Sequence, residues 1–398
     1  MPVTAPNHPT REHRRTLSDS TVRAAIFLTL GVASATLGQG DRAPLEVWYG
    51  AIDPPVVAQR DVTIREMTSI HPLDPEPQPL EISGMITVVD RIILTSDRHS
   101  HVVFSLAVDL QSSAVMIGLP EPTRLVDTER RLIDDAECIT TRRRASGEHE
   151  GLIFCSLSND PGGERRFKRQ HIARFTVLPD GRITTDRVQV MSADSVRDAL
   201  ASHFDALGVS PYVSFDSERN ANTLRWGNVE GIAWTPDGAT LLCAMRSPMA
   251  DGDAIFFALS GVSAAFDSDD PTQMRVIDLF RLNLGGRGAS DLAWDAVSGG
   301  YLITAALSNG PKTDPNQIYP LENLDAALFW WSGDKSKQPV LVAKFPDLNV
   351  EAVTRIGDGP YIALGSDEGD VSEGRRGRQS ALTIMHFLGP ASEEAEDG

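Results

Sequence analysis

The feature that most constrains the fold of this chain is a segment that recurs five times. Each copy begins with a carboxylate, runs through an apolar stretch, turns, and enters a second apolar run that ends in a polar residue. The copies are residues 81–97, 137–158, 230–247, 291–308 and 351–367, so their first and last residues are 16, 21, 17, 17 and 16 positions apart. Two short apolar runs around a turn predict a β-hairpin, and the sequence therefore predicts five similar hairpins.

The distance from one copy to the next predicts the architecture. Successive first carboxylates lie 56, 93, 61 and 60 residues apart, and a four-stranded propeller blade takes roughly 40–60 residues. Apolar third strands, such as residues 101–109, follow most hairpins. Their unbroken apolar character is typical of radially stacked sheets that are buried on both faces. We therefore predict an all-β fold, a single β-propeller of five blades, with a sixth degenerate blade as the alternative.

Two further segments fit this ring. The 93-residue step contains residues 192–208, which have helical periodicity and predict a short helical insertion on the second blade. The long second copy is explained by the polar run 142–150 (RRRASGEHE) at its hairpin tip. The runs 45–52 and 62–70 are placed to supply outer strands to the last blade, which would close the ring and remove its sheet edges.

The N-terminal segment has the order of a signal peptide. Residues 1–23 are polar and carry several arginines, residues 24–35 are apolar, and Ala33 and Ala35 form an A-x-A-type cleavage site. The apolar run is too short to span a bilayer. We therefore predict that residues 1–38 are a signal peptide and that the protein is exported, to the periplasm or outside the cell.

The rest of the chain is predicted to form one domain followed by a short tail. We predict a β-propeller domain over residues 41–390 and an acidic, disordered tail over residues 391–398 (ASEEAEDG). The Arg14–Arg15 pair leaves both the general secretory route and the twin-arginine route open. No later segment reaches the length of a membrane span.

The charge of the chain excludes one class of partner. The net charge is −18, and because residues 1–38 carry a net +2, the mature chain would carry −20. Such a surface repels phosphate backbones, so we predict no nucleic-acid binding and expect cations or basic groups as partners. A basic cluster at residues 165–169 is an exception that fits a solvated loop or a docking point for an acidic partner. The three cysteines lie in apolar runs without C-x-x-C spacing, which predicts buried thiols rather than zinc ligands.

The hairpin pattern predicts where the polar residues gather. An antiparallel hairpin returns the end of its second strand to the level at which its first strand began. If the first strands line a central channel, the carboxylates that begin them and the residues that end the second strands meet at one mouth. The channel-mouth candidates are Glu81, Asp97, Glu137, Glu230, Arg246, Asp291, Glu351 and Asp367.

Carboxylates that converge in this way repel one another unless a cation, backbone N–H groups or arginines compensate them. Calcium suits such a site, because it takes roughly six to eight oxygen ligands in loose geometry. The predicted metal ligands are Glu81, Glu137, Glu230, Asp291 and Glu351. The alternative is structural: each carboxylate accepts N–H bonds from the next blade and holds neighbouring blades together.

Four short strings carry a resemblance to a known family. They are residues 228–234 (NVEGIAW), 245–248 (MRSP), 291–294 (DLAW) and 349–351 (NVE). Over roughly residues 80–390 the chain resembles the bacterial family of unknown function catalogued as 3616, whose members are predicted propellers. More distantly, the E-G-I-A opening is similar to that of esterase-like phytases and gluconolactonase-type propellers. In those families channel carboxylates hold a divalent cation, which the resemblance implies here as well.

The resemblance is incomplete at two copies. Cys138 follows Glu137 where the pattern has glycine, and Asp291 is likewise not followed by glycine, although both carboxylates are kept. Family 3616 implies no activity of its own.

These observations leave two classes of function open. The first is a binding module that takes a small molecule or a protein at the carboxylate-lined mouth. The alternative is a calcium-dependent hydrolase of phosphate esters or lactones, in which metal-bound water attacks and a carboxylate of raised pKa acts as base. The sequence assigns neither a catalytic residue nor an oligomeric state.

The predicted export can be tested directly. Because the segment order places the cleavage site near Ala33 and Ala35, we expect the first residue of exported, mature protein to lie close to residue 38. N-terminal sequencing of material secreted by a bacterial host measures this. Exported protein that begins at Met1 would contradict the prediction.

Overall fold

The computed structural model describes residues 59–65, 80–111, 114–118, 120–125, 132–159, 163–210, 212–214, 224–306, 325–346, 348–367 and 379–390. The predicted signal peptide, the run 45–52 and the predicted tail lie outside these residues.

Five antiparallel sheets form the five blades of a β-propeller, as the repeat predicts. The strands of each blade are given from the innermost to the outermost. Blade one contains β2 (Ile82–Val88), β3 (Arg91–Ser96), β4 (Val102–Gln111) and, both paired to β4, β5 (Ala114–Ile117) and β6 (Glu121–Arg124). Blade two contains β7 (Ala136–Arg143), β8 (His149–Cys155), β9 (His171–Val177) and β10 (Ile183–Ser192). Blade three contains β13 (Val229–Trp234), β14 (Leu241–Ala250), β15 (Asp253–Ser260) and β16 (Arg275–Leu282). Blade four contains β17 (Gly288–Asp295), β18 (Gly300–Ala306), β19 (Ala326–Trp331) and β20 (Val340–Phe345).

Blade five joins the two ends of the propeller. It contains β21 (Val350–Arg355), β22 (Tyr361–Ser366), β23 (Gln379–His386) and, as its outermost strand, β1 (Gln59–Arg65). Strand β1 pairs antiparallel with β23 in a register that sets Val62 opposite Leu382. The prediction that the region around residues 62–70 adds a strand to the last blade is confirmed. The ring is thus closed by main-chain hydrogen bonds between the first and last described strands.

The step between blades two and three holds the predicted helical insertion. Helix α1 (Asp194–Leu207) follows β10, and a short hairpin of β11 (Tyr212–Ser214) and β12 (Leu224–Trp226) leads to blade three. The Ser192 hydroxyl accepts the N–H of Asp194 at 3.1 Å, although Ala193 is the capping residue. Gly208 ends the helix in the left-handed region, at φ 66°.

The remaining helical elements are short. Helix α2 (Val262–Ser268) follows β15, and the 3₁₀ turns are Phe167–Arg169 and Pro271–Gln273. Neither α-helix in the described part of the chain is long and apolar enough to cross a membrane.

The blades pack through apolar cores that alternate with them around the ring. One core, for example, contains Phe154 and Ile172 of blade two together with Ile232 and Phe257 of blade three. Each blade contributes side chains to the core on either side of it, which is why its strands read as continuous apolar runs. Cys138, Cys155 and Cys243 are all buried, free thiols, as their apolar surroundings predict.

A β-bulge occurs at the same point of every innermost hairpin. Near its start, each innermost strand holds one residue more than the strand with which it pairs. The extra residues are Ser83, Glu137, Glu230, Ser290 and Glu351. An extra residue leaves the ladder and re-aims its side chain. The bulge therefore determines which residue near the start of each innermost strand has a side chain that points out of the regular ladder.

In blades one and three, the residue after the bulge lies very close to the innermost strand of the next blade. A Cβ atom on Gly84 would come within 2.9 Å of the Cα of Cys138, and one on Gly231 within 2.8 Å of the carbonyl carbon of Asp291. Both contacts are to the backbone of the next blade, so neither could be relieved by a side-chain rotation. Packing between blades therefore requires glycine at this position in blades one and three.

We expect Gly231→Ala to destabilise the protein by about 1–3 kcal/mol, because the added methyl group must push two blades apart. Chemical denaturation at equilibrium measures the change. Gly118→Ala is the matched control, since a Cβ there would meet nothing closer than 3.5 Å, and it should change stability by less than about 0.5 kcal/mol. Equal effects of the two substitutions would contradict the close approach of the blades.

Candidate functional site

One end of the propeller axis is formed by the starts of the innermost strands and the ends of the second strands. The bulges place Glu137 of blade two, Glu230 of blade three and Glu351 of blade five at equivalent positions there. The equivalent residues of blades one and four are Ser83 and Ser290. Three of the five predicted first carboxylates thus occupy one structural position.

Glu81 occupies a different position, two residues before the bulge. Its equivalent in blade two is Asp135, which is not among the carboxylates predicted from the sequence. In blades three and five the same position holds Asn228 and Asn349. The repeated N-V-E string was the signal that could have revealed this second polar position, because each asparagine precedes its glutamate by two residues.

Asp291 lies one residue after the bulge of its strand, and its side chain does not join the carboxylates that gather at this end. It follows the bulge, is 1% exposed, and accepts hydrogen bonds from the N–H groups of Leu292 and Val353, both at 2.8 Å. The N–H of Met85 also hydrogen-bonds to it. Its carboxylate therefore connects the innermost strands of blades four, five and one, and burial raises its pKa well above the ordinary value while these hydrogen bonds oppose the shift. For this residue the structural alternative holds.

The centre of the acidic end is a buried arginine that joins two blades. Nη1 of Arg246 lies 2.8 Å from Glu230 Oε2 and 2.7 Å from Glu351 Oε1. The three side chains belong to residues that are 7%, 5% and 9% exposed, respectively. Burial alone would lower the pKa of Arg246, but Glu230 and Glu351 raise it above its ordinary value, so the guanidinium stays charged.

The two asparagines orient this central pair. The side-chain amide of Asn349 donates to Glu351 Oε1 at 2.7 Å, and that of Asn228 donates to Glu230 Oε1. The hydroxyl of Ser247 in turn donates to Asn228 Oδ1 at 2.7 Å. Donors from several elements therefore hold the carboxylates in place.

Blade one contributes two neighbouring carboxylates. Glu81 lies within hydrogen-bonding reach of Asp97, and Glu81 also pairs with Arg98. Burial, then the charges of Glu81, Asp367 and Asp135, raise the pKa of Asp97 well above its ordinary value. The end of the second strand of blade five, Asp367, is therefore close enough to belong to the same cluster.

Blade two contributes Asp135, whose carboxylate accepts from Ser156 and pairs with Arg169 at 3.0 Å. Arg169 comes from the basic cluster of the sequence, so part of that cluster neutralises the acidic end. Glu81 and Asp135 both adopt the left-handed backbone conformation, at φ 47° and 59°. This conformation is unfavourable for residues other than glycine and tends to occur where a site constrains the chain.

Glu137 has no such partner. Among the described residues, no side chain pairs with it, and burial followed by the charges of Asp135, Glu230, Asp97 and Glu351 raises its pKa well above the ordinary value. Burial also raises the pKa of Glu230 to about 8, despite the opposing effect of Arg246. The cluster thus contains several carboxyl groups that hold protons near neutral pH.

We define the acidic cluster as the carboxylates that lie close enough together at this end to interact electrostatically. They are Glu81, Asp97, Asp135, Glu137, Glu230, Glu351 and Asp367. Arg98, Arg169 and Arg246 pair with members of this cluster. Among the described residues, no group of three or more His, Cys, Asp or Glu side chains is arranged to hold a metal ion.

The chain has a distant likeness to several solved structures and matches no known family. No protein-family model matches the chain, and a search of curated proteins finds no match. The chain is similar in structure to a GH43 β-1,3-galactosidase with galactodeoxynojirimycin (TM-score 0.41, 7% identity, covering 82% of this chain and 99% of that one). It is also similar to a β-propeller domain from Myceliophteria thermophila (TM-score 0.33, 11% identity, covering 81% and 99%). A third is an exo-β-1,3-galactanase from Phanerochaete chrysosporium (TM-score 0.41, 8% identity, covering 81% and 64%). Likeness at this level carries no argument about fold or activity; the sheet topology of the chain itself shows the five-bladed β-propeller.

The raised pKa values predict how stability depends on pH. Because the folded protein keeps protons on Glu137, Asp97 and Glu230 that the unfolded chain releases, the free energy of unfolding should fall as pH rises from about 4.5, the ordinary pKa of a glutamate, to about 8. Glu137→Gln removes one of these ionisations, so it should stabilise the protein by about 1–3 kcal/mol at pH 8 and have little effect at pH 5.

Chemical denaturation of the parent and Glu137→Gln proteins at the two pH values measures this. Glu148→Gln is the matched control, because Glu148 lies in the turn between β7 and β8, at the other end of the blade. The same pH dependence in all three proteins would contradict the assignment of Glu137 to the acidic cluster.

Proposed function

We propose that this exported propeller is a binding module that takes a cationic group at the acidic cluster. The observation that carries the proposal is the excess of carboxylates over guanidinium groups: Glu81, Asp135, Glu230 and Glu351 pair with Arg98, Arg169 and Arg246, whereas Glu137 pairs with no side chain of the described residues. If all seven carboxylates of the cluster were ionised, they would outnumber these guanidinium groups by seven to three. The protein avoids this by retaining protons, and a cationic ligand can displace them.

Arg246 indicates what kind of ligand fits. Its guanidinium already bridges two carboxylates of different blades at 2.8 and 2.7 Å. Its counterparts in blades two and five are Ser156 and Asp367. In each of these three blades, the backbone N–H of this residue donates to the carbonyl oxygen of the residue two positions before the bulge. Neither counterpart supplies a positive charge. An ammonium or guanidinium group beside Glu137 would supply on the blade-two side the positive charge that Arg246 supplies between blades three and five.

A divalent cation fits the oxygen donors of the cluster less well. Carboxylate oxygens suit calcium, but Nη1 of Arg246 takes the place between Glu230 and Glu351, and Asp291 is occupied by backbone N–H groups. A calcium ion held by the five predicted ligands would require Arg246 to move. Calcium binding, and the hydrolysis of phosphate esters or lactones that would depend on it, therefore stand as the rival proposal.

Ligand-dependent melting separates the two proposals. The probes are argininamide, spermidine and calcium chloride, each at pH 7.5 and matched ionic strength. A ligand that binds only the folded state at a hundredfold excess over its Kd stabilises it by about 2.7 kcal/mol. We expect an organic cation to raise the Tm, and we expect its affinity to be higher at pH 8 than at pH 6, because binding displaces protons.

Substitutions locate the effect. Glu137→Gln should abolish the stabilisation by the organic cation, whereas Glu148→Gln should leave it intact. Stabilisation by calcium alone, accompanied by calcium-dependent turnover of p-nitrophenyl phosphate or a lactone, would replace this proposal with the rival. If none of the three probes changes the Tm, the acidic cluster has a structural role and the proposal fails.

A further inference from the structure

The opposite end of the propeller axis holds a large cavity. Its volume is about 770 Å³, and it is lined by the far ends of the innermost strands and by the hairpin turns that follow them. Cavities of roughly 300–1,000 Å³ are typical of small-molecule sites. The acidic cluster lies at the starts of the same strands, so the cavity is a separate site.

One wall of the cavity is the polar run that the sequence analysis assigned to a hairpin tip. Three consecutive arginines, Arg142, Arg143 and Arg144, line it from blade two. Glu150, which is 1% exposed, holds two of them: it lies 3.0 Å from Arg142 Nη2 and pairs with Arg144. Arg142 is further fixed by stacking over the ring of Trp234, 4.1 Å from the ring centroid.

Arg143 differs from its neighbours. Its side chain is exposed, and no carboxylate of the described residues pairs with it. Arg143 is therefore the arginine of this wall that no carboxylate of the described residues pairs with, and Asp237 and Asp358 are the carboxylates among the lining residues. An unpaired guanidinium in a concave site gives an anion a place to bind.

The remaining lining offers a surface for a ring. Trp294 lies partly exposed in the cavity, and its ring stands edge-on to that of Tyr301, with 5.0 Å between the ring centroids. An exposed aromatic ring of this kind can pack against the ring of a ligand.

We propose that this cavity is a second binding site, for a small organic anion in which a carboxylate is carried on a ring. The carboxylate meets Arg143, and the ring packs on Trp294. Acidic sugars and aromatic acids share this chemistry. The site is independent of the cationic ligand proposed for the acidic cluster.

Isothermal titration calorimetry tests the site with defined probes. Trigalacturonate represents the acidic sugars, and 1-naphthoate represents the aromatic acids. Maltotriose is the control that has rings without a charge, and sodium acetate is the control that has a carboxylate without a ring. We expect one of the two ring-bearing anions to bind at least tenfold more tightly than either control. Its affinity should fall as sodium chloride rises from 50 to 500 mM. Which anion binds identifies the kind of ring.

Variants place the binding in the cavity. Arg143→Gln should weaken binding at least tenfold, whereas Arg187→Gln, the same change at an exposed position on the outer strand β10, should not. Trp294→Ala should also weaken binding, and Trp294→Phe, which keeps a ring, should restore part of it. Glu137→Gln should leave the affinity unchanged. The proposal is overturned if neither anion binds, if maltotriose binds as tightly as the anions, or if Arg143→Gln has no effect.

Discussion

The close approach of the five innermost strands around a common axis is the constraint on which the rest of the structure depends. At Gly84 and Gly231 the backbones of neighbouring blades come so near that a Cβ atom would lie within 3 Å of backbone atoms. Beside these contacts every innermost strand has its bulge, which takes one residue out of the ladder. The same geometry therefore packs the blades and directs a set of side chains towards one end.

That geometry makes it energetically unfavourable to ionise all the carboxylates at this end. Carboxylates from different blades are brought together with little water around them, and a buried charge is tolerated only when it is paired or neutralised. The protein uses three solutions. Arg246 bridges Glu230 and Glu351, backbone N–H groups hold Asp291, and raised pKa values keep protons on Asp97 and Glu137. The backbone hydrogen bonds of Asp291 are complete within the fold, whereas the groups that keep protons, among them Glu230 beside Arg246, are ones that a ligand can still satisfy.

The two ends of the axis are chemically different. One collects carboxylates from several blades, and the other has an arginine-rich wall that a single buried carboxylate, Glu150, holds in place. Both follow from the same hairpins, because the start of each innermost strand and the turn after it lie at opposite ends. A propeller built on this repeat can thus offer two sites of opposite preference without a second domain.

The sequence by itself determined the propeller fold, with five blades favoured over six, the helix on the second blade and the closing strand near residue 62. Each follows from local periodicity and spacing, which the chain carries along its length. It also placed Glu230, Glu351 and Arg246 at one mouth, since an antiparallel hairpin returns to its starting level. Only the tertiary structure decided which carboxylates are equivalent. One extra residue in a strand reverses the direction of its side chains, so Asp291 faces backbone N–H groups of neighbouring blades, Asp135 joins the cluster, and Ser83 rather than Glu81 occupies the bulge. That register depends on pairing between strands and on the packing of blades around an axis, and neither can be read from the spacing of residues along one chain.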